Sequence, residues 1–200
     1  MRGRTLPRRF YDRDALDVAP ELLHKVLVHD DPEHGRLAAR LVEVEAYCGR
    51  DDPGSHAFGG ETPRNASMFG PPGRLYVYFT YGMHWCSNLV CGPGTRPHAV
   101  LLRAAGPLEG LDAMYARRVK ARRDRDLCSG PGKLAQAFGF DRRHDGFDVT
   151  RGAIRVVDDG VAAPTDPLVS RRIGLAAGRG DASLWRFSIR GSAYVSVPPR

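Results

Sequence analysis

Hydrophobic and polar positions alternate along residues 41–49, LVEVEAYCG, with the two-residue period of a β-strand. One face of the predicted strand carries Val42, Val44 and Ala46. The opposite face carries Leu41, Glu43, Glu45 and Tyr47. A strand that packs on one side therefore presents carboxylates on the other. The end of this strand is a candidate for a catalytic or binding site.

The same period predicts two β-hairpins in the first half of the chain. A helix beginning near Tyr11 leads into the first hairpin, residues 25–47, whose turn is DPEHG. The second hairpin spans residues 75–90, with Tyr81-Gly82 at its turn. Between them, residues 48–74 form a long loop rich in Gly and Pro, and loops of this length are usually functional or mobile.

The second half predicts a strand, two helical stretches and several short strands. HAVLLRAAGP (98–107) is the strand, PLEGLDAMYARRVKARR (107–123) is helical, and LCSGPGKLAQAFGF (127–140) is a loop and short helix that stops at Gly139. The short strands are AIRVVDD (153–159), RIGLAA (172–177), LWRFSIRG (184–191) and AYVSV (193–197). We expect an α+β fold, a single mixed domain with a mainly antiparallel sheet, packed helices and a protruding β-hairpin. The domain is placed at 15–200, after a basic segment at 1–14.

Composition adds a basic surface to this picture. The 200 residues are 42% hydrophobic, which suits one domain with a real core. The net charge is +7, and 27 of the 30 basic residues are arginine. Arginine binds phosphates with two donors at once, so the excess favours a nucleic-acid partner. An arginine-rich genome explains the same bias equally well.

The cysteines and the hydropathy pattern indicate the compartment. Cys48, Cys86, Cys91 and Cys128 form no C-x-x-C pair, so no disulfide framework or zinc knuckle is indicated. No segment resembles a signal peptide, and no run approaches the roughly 20 apolar residues of a membrane span. We expect a soluble cytoplasmic protein without membrane partners.

The end of the first hairpin holds the first candidates for chemistry. Glu45 and Tyr47 share a face and open onto the long loop, where His56 lies among small residues in GSHAFGG. Small residues let the backbone run close to a ligand. The alternatives are a solvated glutamate and a loop histidine with one local hydrogen bond.

The second hairpin brings aromatic side chains to the same region. Tyr78 points to one face with Tyr76 and Thr80, and together with Tyr47 it could sandwich a flat ring or form ordinary aromatic core. Tyr81 occupies a turn, where Gly, Asn and Asp are preferred, so it is a candidate wedge for a DNA base stack. The alternative is a tyrosine folded back onto its own hairpin.

Three further features could contact a nucleotide. Asn88 offers an amide that can recognise a base edge or close a backbone gap. Arg103 ends AVLLR and could hold a phosphate, pair with a carboxylate or form a surface salt bridge. SGPGK (129–133) is a glycine-rich turn into a helix, suited to a DNA phosphate but lacking the Walker spacing.

Taken together, these stretches resemble the alkyladenine (3-methyladenine) DNA glycosylases. The resemblance is carried by the E-A-Y, S-H, T-P-R-N, Y-V-Y-x-x-Y-G and N positions within residues 42–90. VLLRAAGPLEG, LCSGPGKLAQAFG, RIGLAA and WRFSIRGSAYVS are similar to later blocks of the family. The similarity covers roughly residues 15 to 197.

The resemblance implies roles for individual residues. Glu45 would be the general base that activates water, and Arg103 with the backbone carbonyl of Ile173 would hold that water. The base pocket would be lined by Tyr47, His56, Tyr78 and Asn88, with Asn88 helping to reject guanine. Tyr81 would intercalate into the gap left in the DNA. Glu43 is placed at the rim or in support.

The resemblance also implies the reaction and its partners. The substrate would be double-stranded DNA containing damaged purines: 3-methyladenine, 7-methylguanine, hypoxanthine or ethenoadenine. The enzyme would act as a monomer at the nucleoid, with neither metal nor cofactor. His84, Trp85 and Ser188 depart from the family pattern, which leaves the lesion range open.

Two other functions compete with a monofunctional glycosylase. One is a damage-binding protein that flips bases without cutting the glycosidic bond. The presence of both Glu45 and Arg103 argues against this alternative. The other is a metal-dependent hydrolase built on His56, His84 and the cysteines, whose spacing is poor for a metal site.

Overall fold

A computed structural model describes residues 3–94 and 96–197. Its strands are β1 (Arg4–Thr5), β2 (Val26–Asp31), β3 (Gly35–Tyr47), β4 (Leu75–Thr80), β5 (His84–Cys91), β6 (His98–Glu109), β7 (Ile154–Asp158), β8 (Leu168–Ser170) and β9 (Arg186–Ser188). Its α-helices are α1 (Arg8–Tyr11), α2 (Ala15–Leu22), α3 (Leu111–Arg117), α4 (Asp124–Leu127) and α5 (Pro131–Phe138). Single 3₁₀ turns lie at Gly49–Asp51, Ala66–Phe69 and Arg142–His144.

All nine strands belong to one antiparallel sheet whose longest strand is β3. The main strand order is β1-β7-β2-β3-β6-β5-β4, and β8 pairs with β9. One edge of β3 pairs with β6 along most of its length. The other edge pairs first with β2 and then, at residues 43–45, with β9. The α+β class and the mainly antiparallel sheet with packed helices are confirmed.

The sheet separates a large core from a small one. The large core packs α2 and α5 against the sheet, with Leu22, Val44, Leu102 and Phe138 fully buried. On the opposite face a smaller cluster joins the long loop to the second hairpin. Its members are Ala57, Met68, Tyr76, Val90 and Ala99, with Tyr78 packed against them. The long loop therefore covers the face that the helices leave open.

A β-bulge changes the faces that the alternation predicted for β3. The register against β6 shifts between Leu41 and Glu43 and again between Glu43 and Val44. Leu41 consequently packs in the large core with Val44, so the prediction that it shares a face with the glutamates is wrong. A bulge inserts one extra residue and reverses the alternation from that point, which is a property of the strand pair rather than of the sequence pattern.

Both predicted hairpins form. β2 and β3 pair from Val26↔Arg40 to Asp31↔Gly35, and β4 pairs with β5 as far as Thr80↔His84. The second turn contains Tyr81 and Gly82, both with positive φ (52° and 64°). That this hairpin protrudes stays a prediction.

The helix predicted at 107–123 is much shorter in the structure. β6 continues to Glu109, and Pro107 still pairs with Ala39 of β3. Gly110 then takes a left-handed conformation at φ 77°, and α3 ends at Arg117. The predicted helix forms only over the residues of α3. The first three residues of 107–123 pair with β3 as the end of β6 instead.

Two of the predicted C-terminal strands are also wrong. Residues 172–177 and 193–197 contain no strand, and LWRFSIRG keeps only the three residues of β9. A side-chain ion pair attaches residues 172–177 to the long loop. Arg172 lies 2.5 and 2.7 Å from the two carboxylate oxygens of Asp52 and donates to the carbonyl of Ala46 at 3.0 Å. Both side chains of that ion pair are fully buried.

The N-terminal residues that are described belong to the same body. β1 pairs with β7, and the ring of Tyr11 is completely buried. The division into 1–14 and 15–200 stays a prediction, and residues 1, 2, 95 and 198–200 lie outside the described residues. Within 3–94 and 96–197, no helix has the length and apolar character needed to cross a bilayer.

Replacing Asp52 by Ala tests the attachment of the C-terminal segment. The substitution leaves Arg172 buried without its carboxylate, and breaking such a pair costs about 3–5 kcal/mol. We expect a large loss in the free energy of unfolding and faster amide hydrogen exchange at residues 171–181. The matched control is Asp166→Ala, which removes an exposed partner of Arg190 and costs under about 1 kcal/mol. Equal effects of the two substitutions would contradict the assignment.

Candidate active site

Glu45 lies near the end of β3 between two neighbouring strands. It pairs with Leu101 of β6 and with Arg186 of β9, and it has no exposed surface. Its Oε1 accepts from the backbone N–H of Ile173 at 2.8 Å, and its Oε2 accepts from the Tyr47 hydroxyl at 2.9 Å. The interpretation of Glu45 as a solvated surface residue is wrong.

The buried position of Glu45 alters its acid–base behaviour. Burial raises its pKa, and the charge of Arg103, the Ile173 amide and the Tyr47 hydroxyl oppose the rise only in part. Burial, and then the nearby charge of Glu45, raise the pKa of Tyr47 well above its usual value. Tyr47 therefore acts as a donor, and Glu45 is a stronger base than a surface glutamate.

Glu43, which the sequence interpretation placed at the rim or in support, is the centre of a second set of contacts. It too is fully buried, and its Oε1 accepts from the Nε of Arg103 at 2.7 Å and the Nε of Arg186 at 2.8 Å. Ser196 adds its backbone N–H at 2.6 Å and its hydroxyl at 2.8 Å. Burial works to raise the pKa of Glu43, but Arg103, the Ser196 amide and Arg186 outweigh it and lower that pKa.

Arg103 joins the two glutamates. Its Nη1 lies 3.2 Å from Oε1 of Glu45 while its Nε binds Glu43, and its side chain is only 6% exposed. The surface-salt-bridge interpretation is therefore wrong. Burial works to lower the pKa of Arg103, but the charges of Glu45 and then Glu43 raise it, so the guanidinium stays charged.

The predicted residues surround one pocket of about 180 Å³. The sequence-predicted side chains in its wall are Tyr47, His56, Tyr78, Tyr81, Asn88, Arg103 and Ile173. The wall also includes residues that were not predicted, among them Ser55, Met68, Tyr76, Cys86, Leu101 and Gly174. Glu45 lies behind this wall and contacts it through Tyr47, Arg103 and Ile173.

Three aromatic rings form one side of the pocket. The His56 ring meets Tyr78 edge to face at 4.4 Å, and Tyr78 stacks on Tyr76 at 5.3 Å. The Nδ1 of His56 lies 2.9 Å from the Tyr76 hydroxyl. Desolvation, with the charge of Arg64 second, lowers the pKa of His56, so its ring is neutral at physiological pH. Alternation along β4 would have marked Tyr76 as well, because it shares the face of Tyr78.

Asn88 and Tyr81 complete the predicted set. Asn88 is buried, and its side-chain N–H donates to the carbonyl of Tyr76 at 3.3 Å, so it does bridge a backbone gap. The Tyr81 side chain is 77% exposed at the hairpin turn and is not folded back onto its hairpin.

Arg172 supports the opposite wall of the pocket, and sequence reasoning missed it. Its guanidinium lies 4.5 Å from the centre of the Tyr47 ring and 4.9 Å from the Trp185 ring. Since it also binds Asp52, it fixes the residue before Ile173 against the long loop. The arginine pair at 171–172 beside the predicted Ile173 was the available signal.

His84, Trp85 and Ser188, which depart from the family pattern, do not belong to the pocket wall. His84 is exposed beside Gly132, and Trp85 packs on Phe79 with 5.0 Å between ring centres. Ser188 is buried on β9 opposite Glu43. SGPGK leads into α5, and its Pro131 contributes to the pocket wall.

Potential metal ligands converge away from the pocket. In the described part of the chain, the one group of three or more is Asp14, Cys48 and His98. It contains neither His56 nor His84, the histidines of the proposed metal-dependent hydrolase.

Comparisons with known proteins agree with the resemblance. The family model described as methylpurine-DNA glycosylase (MPG) matches residues 9–193. A protein of Burkholderia lata named "Putative 3-methyladenine DNA glycosylase" is 54% identical over 198 residues, 98% of this chain and 93% of its own length. A protein of the same name from Streptomyces avermitilis is 47% identical over 193 residues, 96% of this chain and 90% of its own length.

The opposite pKa shifts of the two glutamates predict different effects of Glu→Gln substitution on stability. Glu43, with its lowered pKa, stabilises the fold above the unfolded value near 4.5, and this contribution is lost as pH falls. Glu45, with its raised pKa, costs stability as pH rises from that value. We therefore expect Glu43→Gln to lose about 3 kcal/mol at pH 8 and less at about pH 3.5, below the unfolded value, and Glu45→Gln to be as stable as wild type or more so at pH 8. Urea unfolding at both pH values measures this, and equal losses at pH 8 would refute it.

Proposed function

The chain belongs to the methylpurine-DNA glycosylase family and is a DNA glycosylase, and from this premise we propose that it flips damaged purines out of duplex DNA and hydrolyses their N-glycosidic bond. The substrates proposed are 3-methyladenine, 7-methylguanine, hypoxanthine and ethenoadenine. The observation that carries the proposal is the buried Glu45 carboxylate, held against the wall of an aromatic pocket by Arg103 and Tyr47.

A carboxylate in this setting suits the reaction. An alkylated purine carries positive charge, which weakens its bond to the sugar, so the enzyme has mainly to exclude bulk water, orient one water and stabilise an oxocarbenium-like sugar. Glu45 takes the proton from that water and offsets the positive charge that develops. Its raised pKa makes it a better proton acceptor than a surface carboxylate.

Arg103 and Ile173 hold the attacking water in this proposal. Arg103 is fixed by Glu43, which leaves its Nη1 beside Glu45. The Ile173 amide binds Glu45, which holds this residue beside the carboxylate, and the proposal assigns its backbone carbonyl as the third partner of the water. For water to reach Oε2 of Glu45, the Tyr47 hydroxyl has to yield the hydrogen bond that it now makes.

The rings of the pocket select the base. Tyr47, His56 and Tyr78 offer flat faces and edges to a purine, and a cationic alkylated ring gains most from the tyrosine faces. In this proposal Asn88, held by its hydrogen bond to Tyr76, rejects a normal guanine through a clash with the amino group of that base.

In this proposal, groups on the surface around the pocket contribute affinity for the undamaged DNA backbone. Tyr81 fills the gap that the flipped nucleotide leaves, which offsets part of the few kcal/mol that flipping costs. The net charge of +7 gives sequence-independent affinity that falls with salt. We propose that the protein works as a monomer at the nucleoid.

Glu45→Gln separates catalysis from binding. We expect base release from a duplex with one hypoxanthine or ethenoadenine, read by alkaline cleavage at the abasic site, to fall by about 10²-fold or more. Affinity for the same duplex stays within about three-fold, since the amide keeps the shape of the carboxylate. The control is Glu21→Gln, an exposed partner of Arg13 remote from the pocket.

The same measurement tests the alternative of a non-catalytic damage-binding protein. Tight binding by the wild type with no release from any lesion, methylated DNA included, would favour that alternative. Undiminished release by Glu45→Gln would instead remove Glu45 from its proposed role.

Tyr81→Ala tests the intercalating role. Loss of a stacked ring weakens binding of lesion duplex by about 1–3 kcal/mol, and Tyr81→Trp retains most of the affinity. Fluorescence anisotropy with a duplex carrying ethenoadenine measures both variants, with the exposed Val161→Ala as the control. Wild-type affinity in Tyr81→Ala would exclude the wedge.

A further inference from the structure

A group of metal-ligating side chains lies on the far side of β3 from the base pocket. Cys48 follows Tyr47 but points into the large core with Val44, away from Glu45. It meets Asp14, which precedes α2, and His98, which begins β6. One ligand atom from each of the three lies within 4.8 Å of the other two.

The spacing of the group is close to that of a tetrahedral metal site. Bond lengths of about 2.0 Å to nitrogen or oxygen and 2.3 Å to sulfur place neighbouring zinc ligands about 3.3–3.8 Å apart. The Oδ2 of Asp14 lies 3.6 Å from the Nδ1 of His98, which matches that range. The same Nδ1 accepts from the backbone N–H of Ala15 at 3.4 Å, and a bound ion would replace this weak contact. The other distances are at most 4.8 Å, so movements of at most about 1.5 Å (4.8 − 3.3) would bring the third atom into that range.

Cys91 supplies a second thiol beside the group. It is the register partner of His98 across β5 and β6, so the two side chains lie on the same face of the sheet. Its sulfur is not among the atoms that lie within 4.8 Å of one another, so Cys91 would have to move toward the group to bind the ion. Two thiols, an imidazole and a carboxylate are a donor set suited to Zn²⁺.

Access and charge also favour a cation. The Asp14 side chain is 37% exposed whereas His98 is 6% exposed, so the group has an open side. Asp14 uses its Oδ1 to cap α2 through the Leu16 amide, which leaves Oδ2 facing the imidazole. Asp14 is the strongest charge acting on His98, ahead of the opposing Arg96, and Asp51 and Asp52 add further negative charge, although Arg172 neutralises Asp52.

We propose that Asp14, Cys48 and His98, with Cys91 as the fourth donor, form a binding site for a zinc-like divalent cation. The bound ion would tie the start of α2 to the ends of β3, β5 and β6. It takes no part in base release, because none of the four side chains belongs to the wall of the base pocket. The site is hidden in the sequence because its ligands are 34, 43 and 7 residues apart (48 − 14, 91 − 48, 98 − 91) rather than in a short motif.

Cobalt titration of the reduced, metal-free full chain tests the proposal. We expect one Co²⁺ per chain, with the intense visible bands of tetrahedral cobalt and thiolate-to-cobalt charge transfer, both abolished by added Zn²⁺. Zn²⁺ should also raise the midpoint of thermal unfolding, because a ligand that binds the folded chain stabilises it. A wild-type protein with only the pale spectrum of octahedral cobalt overturns the proposal, whatever the variants do.

Matched alanine variants locate the site. Cys48→Ala and His98→Gln should bind Co²⁺ at least about ten-fold more weakly, and Cys128→Ala, a buried cysteine elsewhere in the core, should bind like wild type. Near-ultraviolet circular dichroism checks that each variant is folded. Wild-type spectra from folded Cys48→Ala would place the metal elsewhere, and an unchanged charge-transfer band in Cys91→Ala would overturn the four-donor site.

Discussion

The structure depends on placing two carboxylates and two guanidiniums side by side where water does not reach them. Each buried ion would cost several kcal/mol alone, so Glu43, Arg103 and Arg186 are tolerable only together. Because Glu43 binds both arginines, it fixes the orientation of Arg103. Glu45 then has a charged neighbour whose charge it does not have to balance alone. Because the contacts are divided unequally, Glu43 stays ionised and Glu45 is more basic. Of the two, only Glu45 adjoins the pocket.

The sheet is arranged to build this network. β3 exchanges one partner strand for another at the bulge, so the residues that pair with β9 are the two glutamates and Val44 between them. β9 brings Arg186 to Glu43 at that point, and β6 brings Arg103 from the other side. The segment after Arg172 then closes the pocket, and the segment around Ser196 closes the network at Glu43, and both are attached by side-chain contacts rather than by a strand ladder.

Local sequence patterns predicted the elements that local interactions determine. The hairpins at 25–47 and 75–90 and the aromatic face of β4 could be found from alternation and turn residues, and both hairpins form. The site residues came from the resemblance, and seven of the eight line one pocket while Glu45 lies directly behind it. The bulge at Glu43, the buried state of Arg103 and the role of Arg172 could not be predicted, because each arises from a partner far away in the chain. The predicted strands at 172–177 and 193–197 failed for the same reason, since residues there bind side chains rather than a neighbouring strand, whereas the strand predicted at 153–159 forms as β7.

The order in which the chain is synthesised gives the buried network a further consequence. Glu45 and its amide partner Ile173 are 128 residues apart, and Glu43 and Ser196 are 153 residues apart. A nascent chain that has reached residue 160 contains β3, the aromatic rings and Arg103 but lacks every group that closes the network from the C-terminal side. Contacts of such long sequence separation form late. The carboxylates of β3 therefore lack their Ile173, Arg186 and Ser196 partners until translation has nearly finished, and an interrupted chain carries the pocket residues without the contacts that hold them in place.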